Sequence, residues 1–519
     1  MTRVGYRLCG ARSKYWRISR RPVGGLAALL AVLALGGPVA GCRGSARSEP
    51  KSLEIVVPTD VATLDPRFST RALDVKISRL IHAGLVGLAP DTLEPVPLAA
   101  RRWWWRDQQT LRVELRPGLR FHSGHPLGPA DVCATLRAVA DPRLGSPHRP
   151  VVQSIGACRP VSEQAVDIVL SRPRATLLTD LEIPILRADQ AHAPPDPGAQ
   201  LDGLGPYRVA EASASVVQLV PAETGLLPRP ARPVVIRTIR DENARALRLL
   251  AGRADIAPNA ISPALLPALE GRAELATRTR PGANVTYLLM HNERPPFHRA
   301  AVRRAVARAI DRQLLVRTLL AGRAQVARSF LPPGHWAEPE GARPEPFDPA
   351  SARVVLDPLP AVTLLTSTDR ARVTIARAVA QMLNDAGLEV RVVPLDLGVL
   401  LERLDAGDYD AAILQIPELT EPNVLRWFFH PGGVPGEGGE GKNRARYRSA
   451  RAAHLLDLAS RDRDTDARRQ LYAKLVAVMA EDMPAVPLWH EDQVAVVSAS
   501  ASAFVPSAEG RWLGVAALP

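Results

Sequence analysis

The sequence predicts an α/β protein built of two lobes with a cleft between them. Its clearest unit alternates between strand and helix patterns over 362–365, 374–386, 388–395, 397–405 and 409–416. This β-α-β-α-β order is typical of a doubly wound parallel sheet. Strand-helix-strand patterns recur earlier, and 519 residues exceed one ordinary core. Because ligands of such sheets collect at the strand carboxyl ends, a cleft is expected there.

The first half of the chain consists of short strand and helix patterns. Gly128-Pro129-Ala130-Asp131 predicts a helix start, since Pro suits the first turn and Asp131 suits the positive end of the helix dipole. The predicted strands are 53–57, 110–115 and 234–239, with a hairpin over 206–220, and the predicted helices are 71–88, 128–141 and 243–250.

The second half adds longer amphipathic helices. Val302, Val306, Ala309 and Ile310 share one face, with arginines opposite, so the pattern predicts one long helix over 299–320. A further helix is predicted over 464–481, followed by a strand over 485–488.

The N-terminus is typical of an export signal. Basic residues precede an apolar stretch over 26–35, which is shorter than the ~20 residues that span a bilayer. The following Val39-Ala40-Gly41-Cys42 resembles the bacterial lipobox, which implies a signal peptide over 1–41, lipidation of Cys42 and a tether over 42–52. The alternatives are an ordinary signal peptide with an incidental cysteine, or an uncleaved anchor. We therefore expect a protein on the periplasmic side of the envelope, anchored to the membrane by lipid at Cys42.

Composition argues against several classes of function. The formal net charge is +13, and seven basic residues lie in the first 21 positions. The remaining basic residues are interleaved with acidic ones, so no nucleic-acid-binding face is expected. No nucleophile elbow, zinc-protease motif or phosphate-binding loop occurs, which predicts no enzyme, no catalytic residues and no cofactor. His122 and His125 are a weak metal pair, and no metal site is predicted. Cys133 and Cys158 either form a disulfide or remain two separate buried thiols.

Eight motifs in register resemble one protein family. The strongest is the stretch LRVELRPGLRFHSGHPLGPADVCATL over 111–136, which is similar to the family signature. The others are 63–66, 204–207, 249–257, 290–311, 347–353, 380–390 and 482–488. Together they resemble family 5 of the extracytoplasmic solute-binding proteins, the dipeptide and oligopeptide type that serves ABC importers.

The resemblance implies a type II periplasmic-binding-protein fold with two lobes, a hinge, a cleft and a smaller inserted domain. It places the first lobe in three parts and the second lobe in one. The expected boundaries are 53–86, 205–282 and 485–519 for the first lobe, 87–204 for the inserted domain and 283–484 for the second lobe.

The resemblance also implies ligand-binding residues. Peptide binders of the family use a carboxylate in the loop after the strand that follows "YD", where it meets the peptide's α-ammonium. Here Tyr409-Asp410 begins that strand and Glu418 takes the carboxylate's place, with Glu replacing the family's Asp. A solvated loop acid is the alternative for Glu418. Four further ligand contacts are predicted from position: Gln415 on the same strand, Trp427 as an aromatic after that loop, and Asn443 and Arg444 just past the Gly-rich stretch over 430–442. Local core packing is the alternative for Trp427.

The expected function is a monomeric binding lipoprotein that captures a small, peptide-like solute and delivers it to the permease and ATPase of an ABC importer. The alternatives are a ligand-sensing protein and a binder of an oligosaccharide, a nickel complex or an opine.

Overall fold

The computed structural model describes residues 51–196, 200–226, 229–437 and 441–519. The predicted signal peptide over 1–41 and Cys42 lie outside the described residues, as does most of the predicted tether. Among the described residues, no helix combines the length and apolar character needed to cross a bilayer.

The described chain forms 19 strands in four sheets. In chain order they are β1 Leu53–Val57, β2 Val86–Leu88, β3 Pro95–Pro97, β4 Ala100–Trp105, β5 Thr110–Leu115, β6 Ile155–Ser162, β7 Ala165–Leu170, β8 Tyr207–Ala212, β9 Val216–Pro221, β10 Val234–Thr238, β11 Ile256–Pro258, β12 Leu275–Arg280, β13 Val285–Met290, β14 Ala324–Val326, β15 Val362–Ser367, β16 Val390–Leu395, β17 Ala411–Ile416, β18 Ala485–Glu491 and β19 Gln493–Ser498.

Most of the longer helices begin at an aspartate or serine whose side chain accepts a hydrogen bond from the first helical turn, as at Asp241, Asp369 and Ser449. The α-helices in the described ranges are α1 Ala72–Ile81, α2 Pro129–Ala140, α3 Arg149–Val152, α4 Leu177–Asp180, α5 Ala188–Ala191, α6 Glu242–Leu250, α7 Leu266–Leu269, α8 Ala300–Ala309, α9 Arg312–Leu319, α10 Pro349–Leu356, α11 Arg370–Asp385, α12 Leu397–Ala406, α13 Val424–Phe429, α14 Ala450–Arg461 and α15 Thr465–Asp482, with 3-10 turns at Pro431–Gly433, Ala499–Ala501 and Leu513–Ala517.

The first lobe is built on a seven-stranded sheet in the order β12-β19-β11-β1-β10-β9-β8. Strand β1 is its centre and pairs in parallel with β10 and β11. Consecutive residues of β1 pack into different hydrophobic cores on the two faces of the sheet. Ile55 packs with α1 and the C-terminal segment, while Val56 packs with α6 and α7. The predicted hairpin over 206–220 is confirmed as the antiparallel pair β8 and β9.

The second lobe is built on a six-stranded sheet in the order β14-β18-β13-β17-β15-β16. The predicted β-α-β-α-β unit is confirmed: β15 pairs in parallel with both β16 and β17. Leu364 and Leu365 of β15 are buried on opposite faces, in the cores that contain α11 and α12 respectively. Cover on both faces explains why the consecutive residues Leu364 and Leu365 are both apolar.

The structure corrects the predicted boundary between the second and first lobes. The sequence placed all of 485–519 in the first lobe, but β18 pairs with β13 and β14 in the six-stranded sheet. The chain returns to the first lobe only at β19, which pairs with β11 and β12. An apolar strand pattern predicts the strand itself but contains no information about the sheet it joins.

The predicted long helix over 299–320 is also wrong, because the structure divides it into α8 and α9. Ile310 leaves the helical conformation, and the Asp311 side chain then accepts a hydrogen bond from the backbone N–H of Leu314. This second cap starts a new helix, although the apolar periodicity continues across the break.

The inserted domain packs α2 against a four-stranded sheet in the order β4-β5-β7-β6. A disulfide joins Cys133 of α2 to Cys158 of β6, with a Cα–Cα distance of 5.2 Å. The structure therefore shows the paired alternative for these two cysteines.

Candidate functional site

A cavity of about 640 Å³ lies between the two sheets. Its lining combines apolar surface with many charged and amide side chains, and the first lobe, the second lobe and the segments that join them all contribute to its walls. The charged and amide side chains around it are Lys76, Glu242, Arg245 and Asn259 from the first lobe, Arg323, Gln415 and Glu418 from the second, and Asn284, Glu491, Asp492, Gln493 and Glu509 from the connecting and C-terminal segments.

The chain passes from the first lobe to the second after Arg280 and returns to the first lobe at Asp492. These two crossover segments lie side by side. The side-chain amide of Asn284 donates to the backbone oxygen of Glu491 at 2.7 Å and accepts from the backbone N–H of Glu491 at 2.8 Å. A Cβ on Gly282 would lie 2.1 Å from the same backbone oxygen. Glycine at 282 therefore allows the close approach, and Asn284 ties the two crossovers together.

Glu418 lies two residues after β17, on the second-lobe side of the cavity. Its carboxylate faces the C-terminal segment of the first lobe, where Arg511 Nη2 donates to Oε1 at 3.2 Å. The side chain is 39% exposed and lines the cavity. The sequence prediction placed Glu418 at a ligand contact, and its position in the interlobe cavity is compatible with that role.

Arg511 connects Glu418 to a buried charge cluster behind the cavity wall. The guanidinium donates to both carboxylate oxygens of Glu182 and lies 3.8 Å from Glu509. Burial opposes ionisation of Glu182, but Arg511 and Arg79 outweigh it and lower its pKa. For Glu509 burial dominates and raises the pKa.

Gln415, the second predicted contact, also lines the cavity but is held by protein groups. Its side-chain oxygen accepts from Arg372 Nη2 at 3.0 Å, and its nitrogen donates to Thr286 Oγ1 at 3.3 Å. Arg372 also forms an ion pair with Glu491 at 3.2 Å. This network fixes the wall near the second crossover.

The other three predicted contacts lie elsewhere. Trp427 is on α13, 46% exposed and packed edge-to-face against Phe428, away from the cavity lining. Asn443 is fully buried, and its amide bonds to backbone groups of Tyr447 and His430. Arg444 forms an ion pair with Asp405. The structure does not bring these three side chains to Glu418.

Asp492 is a cavity residue that the sequence analysis missed. It lies between β18 and β19, and its Oδ1 is buried without a hydrogen-bond partner among the described residues. Burial raises its pKa to about 6, while Arg323 opposes the shift. A carboxyl group with one oxygen unbonded among the described residues therefore lies where the chain returns to the first lobe.

Lys76, Asn284, Arg511 and Asp492 have no local sequence signature. Lys76 stands between Val75 and Ile77 in an apolar helix pattern, which does not show that it faces a cavity. Asn284 and Asp492 become recognisable only when the two crossovers are seen together.

No group of three or more histidine, cysteine, aspartate or glutamate side chains suited to a metal ion occurs within the described ranges. The His122 ring nitrogen instead lies 2.9 Å from the backbone oxygen of Gly205, at the boundary between the inserted domain and the first lobe. This contact gives His122 a structural role.

Two α/β lobes, a pair of adjoining crossovers and a cavity with charged side chains between the lobes define a binding protein of the type II periplasmic class. The chain belongs to the family described as bacterial extracellular solute-binding proteins, family 5 Middle, which it matches over residues 94–436. A family of extracellular binding proteins places the chain outside the cytoplasm.

Two relatives are binding proteins named for peptide ligands. A dipeptide-binding protein of Pseudomonas aeruginosa is 28% identical over 293 residues, covering 54% of each chain. The glutathione-binding protein GsiB of Salmonella typhi is 27% identical over 363 residues, covering 67% of this chain and 70% of the relative. The first match thus spans about half the length of the relative.

The fold is also that of NikZ from Campylobacter jejuni, solved in complex with Ni(L-His). The TM-score is 0.74 at 19% identity, covering 89% of this chain and 97% of NikZ. At this identity the likeness establishes the shared fold.

Proposed function

We propose that this protein captures a small peptide-like solute, bearing an α-amino group, between its two lobes. In this proposal the lobes close on the ligand through the two crossovers. The loaded protein then delivers its ligand to the permease and ATPase of an ABC importer. The observation that carries the proposal is the position of the Glu418 carboxylate in the interlobe cavity.

The chemistry of Glu418 fits an ammonium group. The carboxylate is partly exposed to the cavity, and its contact with Arg511 engages one oxygen at 3.2 Å. The second oxygen can accept hydrogen bonds from a ligand. A charge-assisted bond of this kind contributes about 1.5–3 kcal/mol.

The size of the cavity fits a ligand of a few residues. Small-molecule sites range over about 300–1,000 Å³, and this cavity is about 640 Å³. The dipeptide- and glutathione-binding relatives support a peptide ligand, whereas NikZ shows that the same fold holds a nickel complex.

We further propose that the protein binds its ligand without chemical change and acts as a monomer. The named relatives are binding proteins, which supports the first point. Lipid attached at Cys42 would keep the lobes next to the membrane importer, consistent with the lipobox-like sequence at 39–42.

Native mass spectrometry and a thermal-shift panel test the proposed ligand class. The panel contains di- to pentapeptides, oligosaccharides, an opine and nickel-histidine. We expect peptides to raise the melting temperature, because a ligand that binds only the folded state stabilises it. A shift with a sugar, opine or nickel complex and none with peptides would contradict the peptide assignment.

Two matched variants test the role of Glu418 in ligand binding. Glu418→Gln removes the charge at the cavity, whereas Glu402→Gln makes the same change at an exposed position of α12. We expect the first to weaken peptide binding by about 10- to 150-fold and the second to leave it unchanged. Equal affinities of both variants and the wild type would remove the proposed role of Glu418.

A further inference from the structure

The cavity lining contains three cations, and they differ in how the protein engages them. Arg245 is buried, and its guanidinium donates to the backbone oxygens of Ala260, Ile239 and Arg240. Arg323 forms an ion pair with Glu270. Both groups already have protein partners.

Lys76 is the exception. Among the described residues, its ammonium has no hydrogen bond and no carboxylate within 4.0 Å. It projects from α1 into the cavity that also contains Glu418. A half-buried ammonium without a direct partner is costly unless another group satisfies it.

The surroundings hold Lys76 in this position. Its Nζ lies 5.7 Å from the centre of the Trp512 ring, within the range of a cation–π interaction. A Cβ on Gly510 would lie 3.3 Å from Nζ and 2.5 Å from the Gln493 side-chain oxygen, so glycine leaves the space that both groups occupy. The φ of +76° at Gly510 also favours glycine.

Burial and the nearby carboxylates act on the Lys76 ammonium in opposite directions. Burial lowers the pKa of Lys76, and the negative charges of Glu418 and Glu509 oppose that shift. A carboxylate placed next to Nζ would compensate the burial directly.

We propose that Lys76 binds the α-carboxylate of the ligand, and that Lys76 and Glu418 together select short zwitterionic peptides with both termini free. This inference rests on the proposed function and adds a second recognition point to it. The cavity volume of about 640 Å³ lies within the range of about 300–1,000 Å³ found for small-molecule sites, which suits a short peptide. Dipeptides and tripeptides are the expected ligands.

Calorimetry with trialanine and its C-terminal amide tests this role, because the two differ only at the terminal carboxylate. We expect amidation to weaken binding to the wild type by about 10-fold or more. In Lys76→Met the acid and the amide are expected to bind with affinities within about threefold of each other, close to that of the amide with the wild type. Lys474→Met, the same change at an exposed position of α15, is expected to retain the full preference for the acid.

A third ligand separates this inference from the proposed function. N-acetyl-trialanine lacks the ammonium, and its weaker binding is expected to persist in Lys76→Met. If the wild type binds trialanine and its amide equally, the role of Lys76 is overturned while the peptide-binding function stands. If the wild type binds none of the three, the proposed function fails and this inference fails with it. The ligand comparison on the wild type requires no variant to fold.

Discussion

Two sets of charges meet at Glu418, and they differ in how completely the protein satisfies them. Behind the cavity wall, Arg511 and Glu182 are about nine-tenths buried and form a two-pronged ion pair. At the cavity face, Glu418 is 39% exposed with one ion-pair partner, and Lys76 has no hydrogen bond or ion pair among the described residues, only the Trp512 ring near its ammonium. Buried charges that are paired build the wall, and accessible charges with spare capacity are suited to a ligand.

A large loss of stability is expected when the buried ion pair between Arg511 and Glu182 is removed. Arg511→Met leaves the buried Glu182 carboxylate without its main partner. We expect the free energy of unfolding to fall by about 3–5 kcal/mol, measured by urea denaturation. Arg377→Met, at an exposed position of α11, is the matched control with an expected change within about 0.5 kcal/mol. A loss below about 1 kcal/mol for Arg511→Met would show that the cluster is not structural.

Asp492 is the intermediate case, a partly buried carboxyl group without a partner for Oδ1. Its pKa is raised to about 6 from 3.8, so the folded state retains a proton that the unfolded state has released. Stability from this group is therefore present at low pH and is lost as pH rises through about 6.

Asp492→Asn removes that titration. Between about pH 4 and pH 7.5 we expect the variant to gain about 1 kcal/mol relative to the wild type, discounted for partial exposure. Urea denaturation at both pH values measures the difference. An unchanged difference would mean that Asp492 titrates at its ordinary pKa.

The smallest effect on stability is expected at the cavity face. Glu418→Gln leaves the Arg511 guanidinium with Glu182, so the free energy of unfolding is expected to change by no more than about 0.5 kcal/mol. The same denaturation assay, run without peptide, measures it. A loss approaching that of Arg511→Met would place Glu418 with the structural charges instead.

The parts of the fold that depend on nearby residues were predictable. The unit over 362–416 was recognised because strand and helix periods alternate within a short segment, and all three strands join one sheet. The sheet assignment of β18 and the break between α8 and α9 were missed. The first depends on pairing with the distant strand β13, and the second on a single cap at Asp311.

The residues of the candidate site also divide into those that the sequence predicts and those that it does not. Glu418 and Gln415 were identified from a motif and line the cavity, because both lie at the end of a well-predicted strand. Trp427, Asn443 and Arg444 follow closely in sequence, but α13 and the following loop carry them away. Lys76 lines the same cavity as Glu418, and Arg511 contacts Glu418 directly. Both are distant from Glu418 in the sequence, so no local pattern encodes this arrangement.

The most direct test of the central claim is a cycle between Glu418→Gln and N-acetylation of a tripeptide, measured by calorimetry. Acetylation removes the ligand's charge and the substitution removes the protein's. The account predicts that acetylation weakens binding to the wild type by about 10-fold or more and weakens binding to the variant by less than about threefold. Equal penalties in both proteins would show that Glu418 does not meet the ammonium group.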